Sequence, residues 1–217
     1  HTPLDWWLLV ALTAAGDAKS KARAAKWLVD RGTKALLRPE LLRAAILTHG
    51  VALRPHYAVQ LQLAAALVRH ASSAHANDLG GDVYALLFAE FAEPYERQEL
   101  ICQLLTHAGS GAVREVDAAL RVLVALATDD PASVAHFSSF LTGVLDYLDG
   151  LSVSQARLAF ELFARIAYDA HAGASRLADE LQITIRKQLT STAPRYKSLG
   201  VLGGCCLLGR LGARTAP

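Results

Sequence analysis

The chain has 217 residues, 53% of them apolar and 7% aromatic, with a formal net charge of only +2. That composition describes a core-forming helical protein and excludes disordered and fibrous classes. The longest apolar run, residues 199–208, is about half of the roughly 20 residues a spanning helix needs, which excludes a membrane reading. Three cysteines, two of them adjacent (Cys205 and Cys206), cannot build a disulfide framework, so a reducing intracellular compartment is expected. No signal peptide is evident, and a start at His1 without any methionine reads as a piece of a longer protein.

Strand signals are nearly absent, whereas helical punctuation recurs. Helix starts are predicted near Leu4, Ala18, Pro39, Pro55, Asp78, Pro94, Gly111, Pro131, Ser152, Ser175 and Pro194, about eleven in all. Asp130 before Pro131 reads as an N-cap with proline at the first helical position. Gly150 after LDYLD is a candidate helix stop in the left-handed conformation, and Ser152 with Gln155 fits a capping box. Leu158, Leu162 and Ile166 recur every four residues, as do Leu177, Leu181, Ile185 and Leu189, each set lying along one helical stripe. Thr192 is a candidate N-cap for the last helix, with Pro194 in its first turn.

These starts fall about every 15 to 23 residues, so a helix pair takes roughly 35 to 43. The period predicts an all-α fold of the HEAT- or armadillo-like α-solenoid type, one helical segment over residues 1–217; a compact bundle is the alternative.

Catalytic and cofactor motifs are missing. The eight histidines lack metal spacing, Cys102 is remote in sequence from Cys205 and Cys206, and no GxxxxGK[ST], GxGxxG or GxSxG occurs. Asp146 and Asp149 in LDYLDG form an i, i+3 carboxylate pair, which reads as solvated surface rather than as an acid and base. The expectation is a protein with no enzyme activity, no metal and no cofactor.

Charge is unevenly spread. Residues 1–54 carry nine Lys/Arg against four Asp/Glu (+5), residues 55–185 seven against sixteen (−9), and residues 186–217 six against none (+6). Within the first basic end, Lys19, Arg23 and Lys26 fall near one face of a helix whose other side offers Ala24, Trp27 and Leu28. That face is either an ordinary solvated surface or a sequence-independent contact with the DNA backbone.

The other basic end holds APRYKSLGVLGGCCLLG, in which Lys197 stands at the mouth of an apolar run with no acid nearby in sequence. On a helical wheel Lys197 shares its face with Gly200, Val201, Gly204 and Leu208, and a helix apolar all round is expected to be buried. The expectation is therefore a lysine on a buried or interfacial seam beside a groove made by Gly200 and Gly204. Either its stem covers apolar surface, or a primary amine is needed there for acylation.

YKSLGVLGG resembles the segment around the ubiquitin-acceptor lysine of the Fanconi anaemia group D2 family. GVLDYLDGLSVSQARLAFELFARIAYDA, IRKQLTSTAPRYK and LLTHAGSGAVREVDAALRVLVAL are similar to that family's segments in the same order and spacing. The resemblance implies a nuclear DNA-repair scaffold, an α-solenoid that clamps double-stranded DNA with the Fanconi anaemia group I protein. It also implies monoubiquitination by the group L ubiquitin ligase, with Lys197 at the acceptor position. Pro194 and Arg195 depart from the family pattern, which usually has a bulky apolar residue and a lysine there. The alternatives are the group I paralogue, disfavoured by LDYLDGL and YKSLGVLGG, and a generic HEAT-like interaction scaffold.

Overall fold

The structure is a computed structural model that describes residues 2–70, 72–169 and 175–215. Among these residues there are α-helices and short 3-10 segments and no strands. Two compact units, residues 1–122 and 123–217, divide at Val122 inside one helix.

The first unit contains α1 (Pro3–Ala15), α2 (Ala18–Thr33), α3 (Pro39–Leu53), a 3-10 turn at Arg54–His56, α4 (Tyr57–Val68), α5 (Ala74–Glu90), α6 (Pro94–Ala108) and the start of α7 (Val113–Asp129). The short connection 69–73 folds α5 back along α4, giving the helical hairpin expected of a solenoid. Gly80 makes their close approach possible, since a Cβ there would lie 2.7 Å from Val68 Cγ2. α5 starts at Ala74, earlier than Asp78, because Ser73 Oγ accepts from Ala76 N (3.3 Å) and caps it. Buried Asn77 then donates its amide to the Val68 (2.6 Å) and His70 (3.0 Å) carbonyls, satisfying the end of α4. Gln60, fully buried, accepts from Trp6 Nε1 (3.4 Å) and donates to the Leu53 carbonyl (3.0 Å), joining α1, α3 and α4.

The second unit continues with α8 (Pro131–Ala135), α9 (Ser138–Leu141), a 3-10 segment η2 (Thr142–Gly150), α10 (Val153–Asp169), α11 (Ser175–Leu189) and α12 (Pro194–Thr215). α10, α11 and α12 pack mutually around Phe160, Phe163, Leu177, Leu181 and Ile185. Each large apolar side chain buried there stabilises by about 1.5–3 kcal/mol. The i, i+4 stripe of α11 holds except at its end, where Leu189 is 41% exposed.

Local signals behave as their chemistry demands. Asp130 Oδ1 accepts from Ser133 N (3.0 Å) with Pro131 in the first turn. Ser152 and Gln155 form the reciprocal box: Ser152 N donates to Gln155 Oε1 (2.9 Å) and Gln155 N donates to Ser152 Oγ (3.3 Å). The single helix expected from Pro131 is instead broken into α8, α9 and η2. Hydroxyl side chains compete for backbone partners in SSFLTG, as when Thr142 Oγ1 donates to the Ser139 carbonyl (3.1 Å). Leu141, Val144 and Leu148 are buried at spacings of three and four, which tighter 3-10 winding accommodates. Gly150 does not take the left-handed conformation expected of it; among the described glycines only Gly111 has positive φ.

Candidate modification site and basic surface

The candidate site is assembled from η2 and the first turns of α12. Pro194 opens α12, and the carbonyl of Ala193, rather than Thr192, occupies the cap position, accepting from Lys197 N at 3.1 Å. The Arg195 guanidinium donates to the Asp149 carbonyl and to the Leu151 carbonyl (3.1 Å). Tyr196 donates its phenol to Asp149 Oδ2 (2.9 Å), and this hydrogen bond pushes the phenol's pKa up. LDYLDG and PRYK, more than 40 residues apart, thus meet as one structure.

Lys197 follows directly and is exposed, with no side-chain partner among the described residues. The buried seam expected for it is not found. Val201 (54%) and Leu208 (70%) on the same face are exposed as well, because α12 buries only the side that carries Leu199, Gly200 and Gly203. The close approach is made by Gly200 and Gly203, not Gly204. A Cβ at Gly200 would sit 2.7 Å from Leu189 N, and one at Gly203 2.8 Å from Phe160 Cε1, whereas one at Gly204 would meet nothing within 4 Å. The wheel grouped Lys197 with Gly200, Val201, Gly204 and Leu208, yet Gly200 is buried against α11 while Lys197, Val201 and Leu208 face solvent; a wheel could not say which side of an all-apolar helix finds a neighbour.

A cleft of about 420 Å³ borders the Tyr196–Asp149 contact, lined by Asp146, Asp149, Thr184, Lys187, Gln188 and Ser191 among others. Gln188 is 8% exposed and its Oε1 has no hydrogen-bond partner among the described residues. Farther along α12, Arg210 holds Asp169 of α10 through Nε (2.9 Å) and Nη2. Cys102, Cys205 and Cys206 are free thiols; burial raises the Cys206 pKa. No group of three or more His, Cys, Asp or Glu side chains among the described residues is arranged to hold a metal ion. No helix among them is long and apolar enough to cross a membrane.

In the first unit, Lys19, Arg23 and Lys26 are all exposed along α2 and none has an ion-pair partner among the described residues, whereas Lys34 pairs with Asp30 at 2.9 Å. Asp17 caps this helix by accepting from Ser20 N (2.8 Å), and the bond lowers its pKa. Leu28 is buried as expected, but Trp27 is 36% exposed and stacks beneath the Arg31 guanidinium at 5.3 Å. Trp27 and Arg23 line a groove of about 610 Å³ between α1 and α2, with Leu8 and Leu12 opposite. The second basic end is weaker than its count implies, since Arg210 is paired with Asp169.

Sequence reasoning missed one buried polar cluster. His107 hydrogen-bonds Glu115 Oε1 through Nδ1 (2.6 Å) and meets the Tyr84 hydroxyl at Nε2 (3.0 Å), and Tyr84 also donates to Gln103 Oε1 (2.9 Å). Its only sequence signal was a histidine just after the largely apolar stretch ICQLL, at the end of α6.

The fold and site define a class: an all-α protein of successive helical hairpins in which Lys197 is exposed, without a side-chain partner among the described residues, beside a fixed helix start. A family model described as "Fanconi anaemia protein FancD2 nuclease" matches residues 1–217, so the chain belongs to the Fanconi anaemia group D2 family. The chain is 30% identical over 210 residues to the Fanconi anemia group D2 protein homolog of Mus musculus and 27% identical over 209 residues to the Fanconi anemia group D2 protein of Gallus gallus, in both cases over 96% of its length. The homolog of Rattus norvegicus is 30% identical over 223 residues and the whole chain. The chain spans only 14–15% of the length of these relatives.

Proposed function

We propose that this chain is a non-catalytic segment of a nuclear scaffold for repair of DNA interstrand crosslinks, monoubiquitinated on Lys197. Family membership supports a role in the Fanconi anaemia pathway. The observation that carries the acceptor reading is an exposed, unpaired lysine at the start of α12, held in the YKSLGVLGG segment. In the proposed reaction the ammonium loses a proton and its nitrogen attacks the ubiquitin thioester. The N–C bond forms and the C–S bond breaks. The leaving thiolate takes up one of the two protons lost from the ammonium, and solvent takes the other. The conjugating enzyme and the group L ligase supply the thioester and the base; this chain supplies the amine.

The same reading has the segment act with the Fanconi anaemia group I protein on double-stranded DNA. The exposed, unpaired Lys19, Arg23 and Lys26 support a phosphate contact along α2. Asp149 of the carboxylate pair already accepts from Tyr196, which favours a structural over an acid–base role.

The deciding experiment is Lys197→Arg in the full-length protein with the purified ubiquitin cascade. Arginine keeps the charge and most of the bulk but offers no nucleophilic amine. Modification is expected to stop while fold and DNA binding persist. A Gly-Gly remnant on Lys187 or Lys34 that survives in the arginine variant refutes the assignment.

A further inference from the structure

We propose that Arg195, Tyr196 and Asp149 are positioning residues for the acceptor, a clasp that fixes the backbone beneath Lys197 while leaving its amine free. The inference rests on the reading of Lys197 as the modified residue. The two side chains immediately before Lys197 both turn back onto the end of η2 and the residue that follows it: Arg195 reaches the carbonyls of Asp149 and Leu151, and Tyr196 reaches Asp149 Oδ2. Just after it, Leu199 is 4% exposed and Gly200 lies against the backbone of Gln188 and Leu189. Lys197 is therefore bracketed within one helical turn on each side by fixed contacts to two different elements, yet its own side chain has no hydrogen-bond or ion-pair partner among the described residues.

That combination suits an amine that must be found by an external thioester. Reaction rate depends on bringing nitrogen and carbonyl carbon into line, and a misplacement of about 1 Å can cost up to about a hundredfold. A frayed first turn would spread the amine over many positions, whereas a turn held at both ends leaves only the side-chain torsions to be selected. Arg195 Nη2 faces both carbonyls, so removing the guanidinium loses both contacts at once.

The test compares Tyr196→Phe, Arg195→Ala and the Tyr196→Phe/Arg195→Ala double variant in the full-length protein with its paralogue, measuring initial rates of ubiquitin transfer. Turnover at saturating substrate is expected to fall about 3- to 10-fold in each single variant and further in the double, with the half-saturating concentration unchanged. Amide exchange over residues 195–198 should accelerate in parallel. Asp149→Asn keeps an acceptor for Tyr196 and should retain most of the rate that Asp149→Ala loses.

Unchanged turnover in the double variant overturns the proposal, whether or not exchange accelerates. A raised half-saturating concentration with unchanged turnover overturns it too, since these would then be docking contacts. Should the double variant fail to fold, Tyr196→Phe decides alone, because it removes a single surface hydroxyl. Lys197→Arg run alongside separates the two readings. Modification that persists there refutes the acceptor itself, while modification that stops there but is normal in the clasp variants refutes only the clasp.

Discussion

His107 and Glu115, on successive helices α6 and α7, are joined by a 2.6 Å hydrogen bond between Nδ1 and Oε1 in a site where His107 is 1% exposed. Burial lowers the His107 pKa, and the bond to Glu115 opposes that shift without cancelling it. Tyr84 faces the other ring nitrogen, and Arg69 approaches Glu115 at 3.8 Å. In the unfolded chain the imidazole titrates near its ordinary value of about 6.5. Between that value and the lower folded one, the unfolded state binds the extra proton. The contribution to stability is thus present above about pH 6.5 and is lost as pH falls through the folded value. Urea unfolding at about pH 7.5 and 5.5 should show the parent losing more stability on acidification than His107→Gln. Equal losses would show that His107 does not carry this linkage.

The glycines of α12 should separate sharply on substitution. Gly203→Val drives a side chain into Phe160 and Ile185 and should cost on the order of 1–3 kcal/mol or more by overpacking. Gly204→Ala meets open space and should stabilise by roughly 0.5–1 kcal/mol, since alanine loses less backbone entropy in a helix. Thermal unfolding of the two variants checks the order. A destabilised Gly204→Ala would place the seam where the wheel put it.

The capping box of α10 offers a local check. Ser152→Ala removes the acceptor for Gln155 N and should cost about 0.5–2 kcal/mol, the usual range for loss of a cap. Ser152→Gly should cost only a few tenths of a kcal/mol, since glycine is itself tolerated at this position. Denaturant midpoints at constant slope are the readout.

Charge reversal of Lys19, Arg23 and Lys26 should weaken duplex binding by the full-length protein independently of DNA sequence. It should also flatten the dependence of log affinity on log salt, because fewer counterions are released. An unchanged slope between roughly 50 and 200 mM salt would remove α2 from the DNA surface.

Much of this architecture was written locally. Pro131 after Asp130, Ser152 with Gln155, and the four-residue spacing of Leu177, Leu181 and Ile185 each encode their element through bonds or contacts within a turn or two, so they can be read without knowing the fold. The family segment around Lys197 was legible for the same reason, as an uninterrupted string. What the string could not contain was the partner of each surface. Gly203 rather than Gly204 meets Phe160, Lys197 faces solvent rather than a seam, and Tyr196 finds Asp149 from another element. The buried pairing of His107 with Tyr84 likewise needs α5 and α6 to be packed first. Local hydrogen bonding and periodicity specify where a helix begins and which residues share its faces; which face is buried depends on long-range packing that only the folded chain supplies.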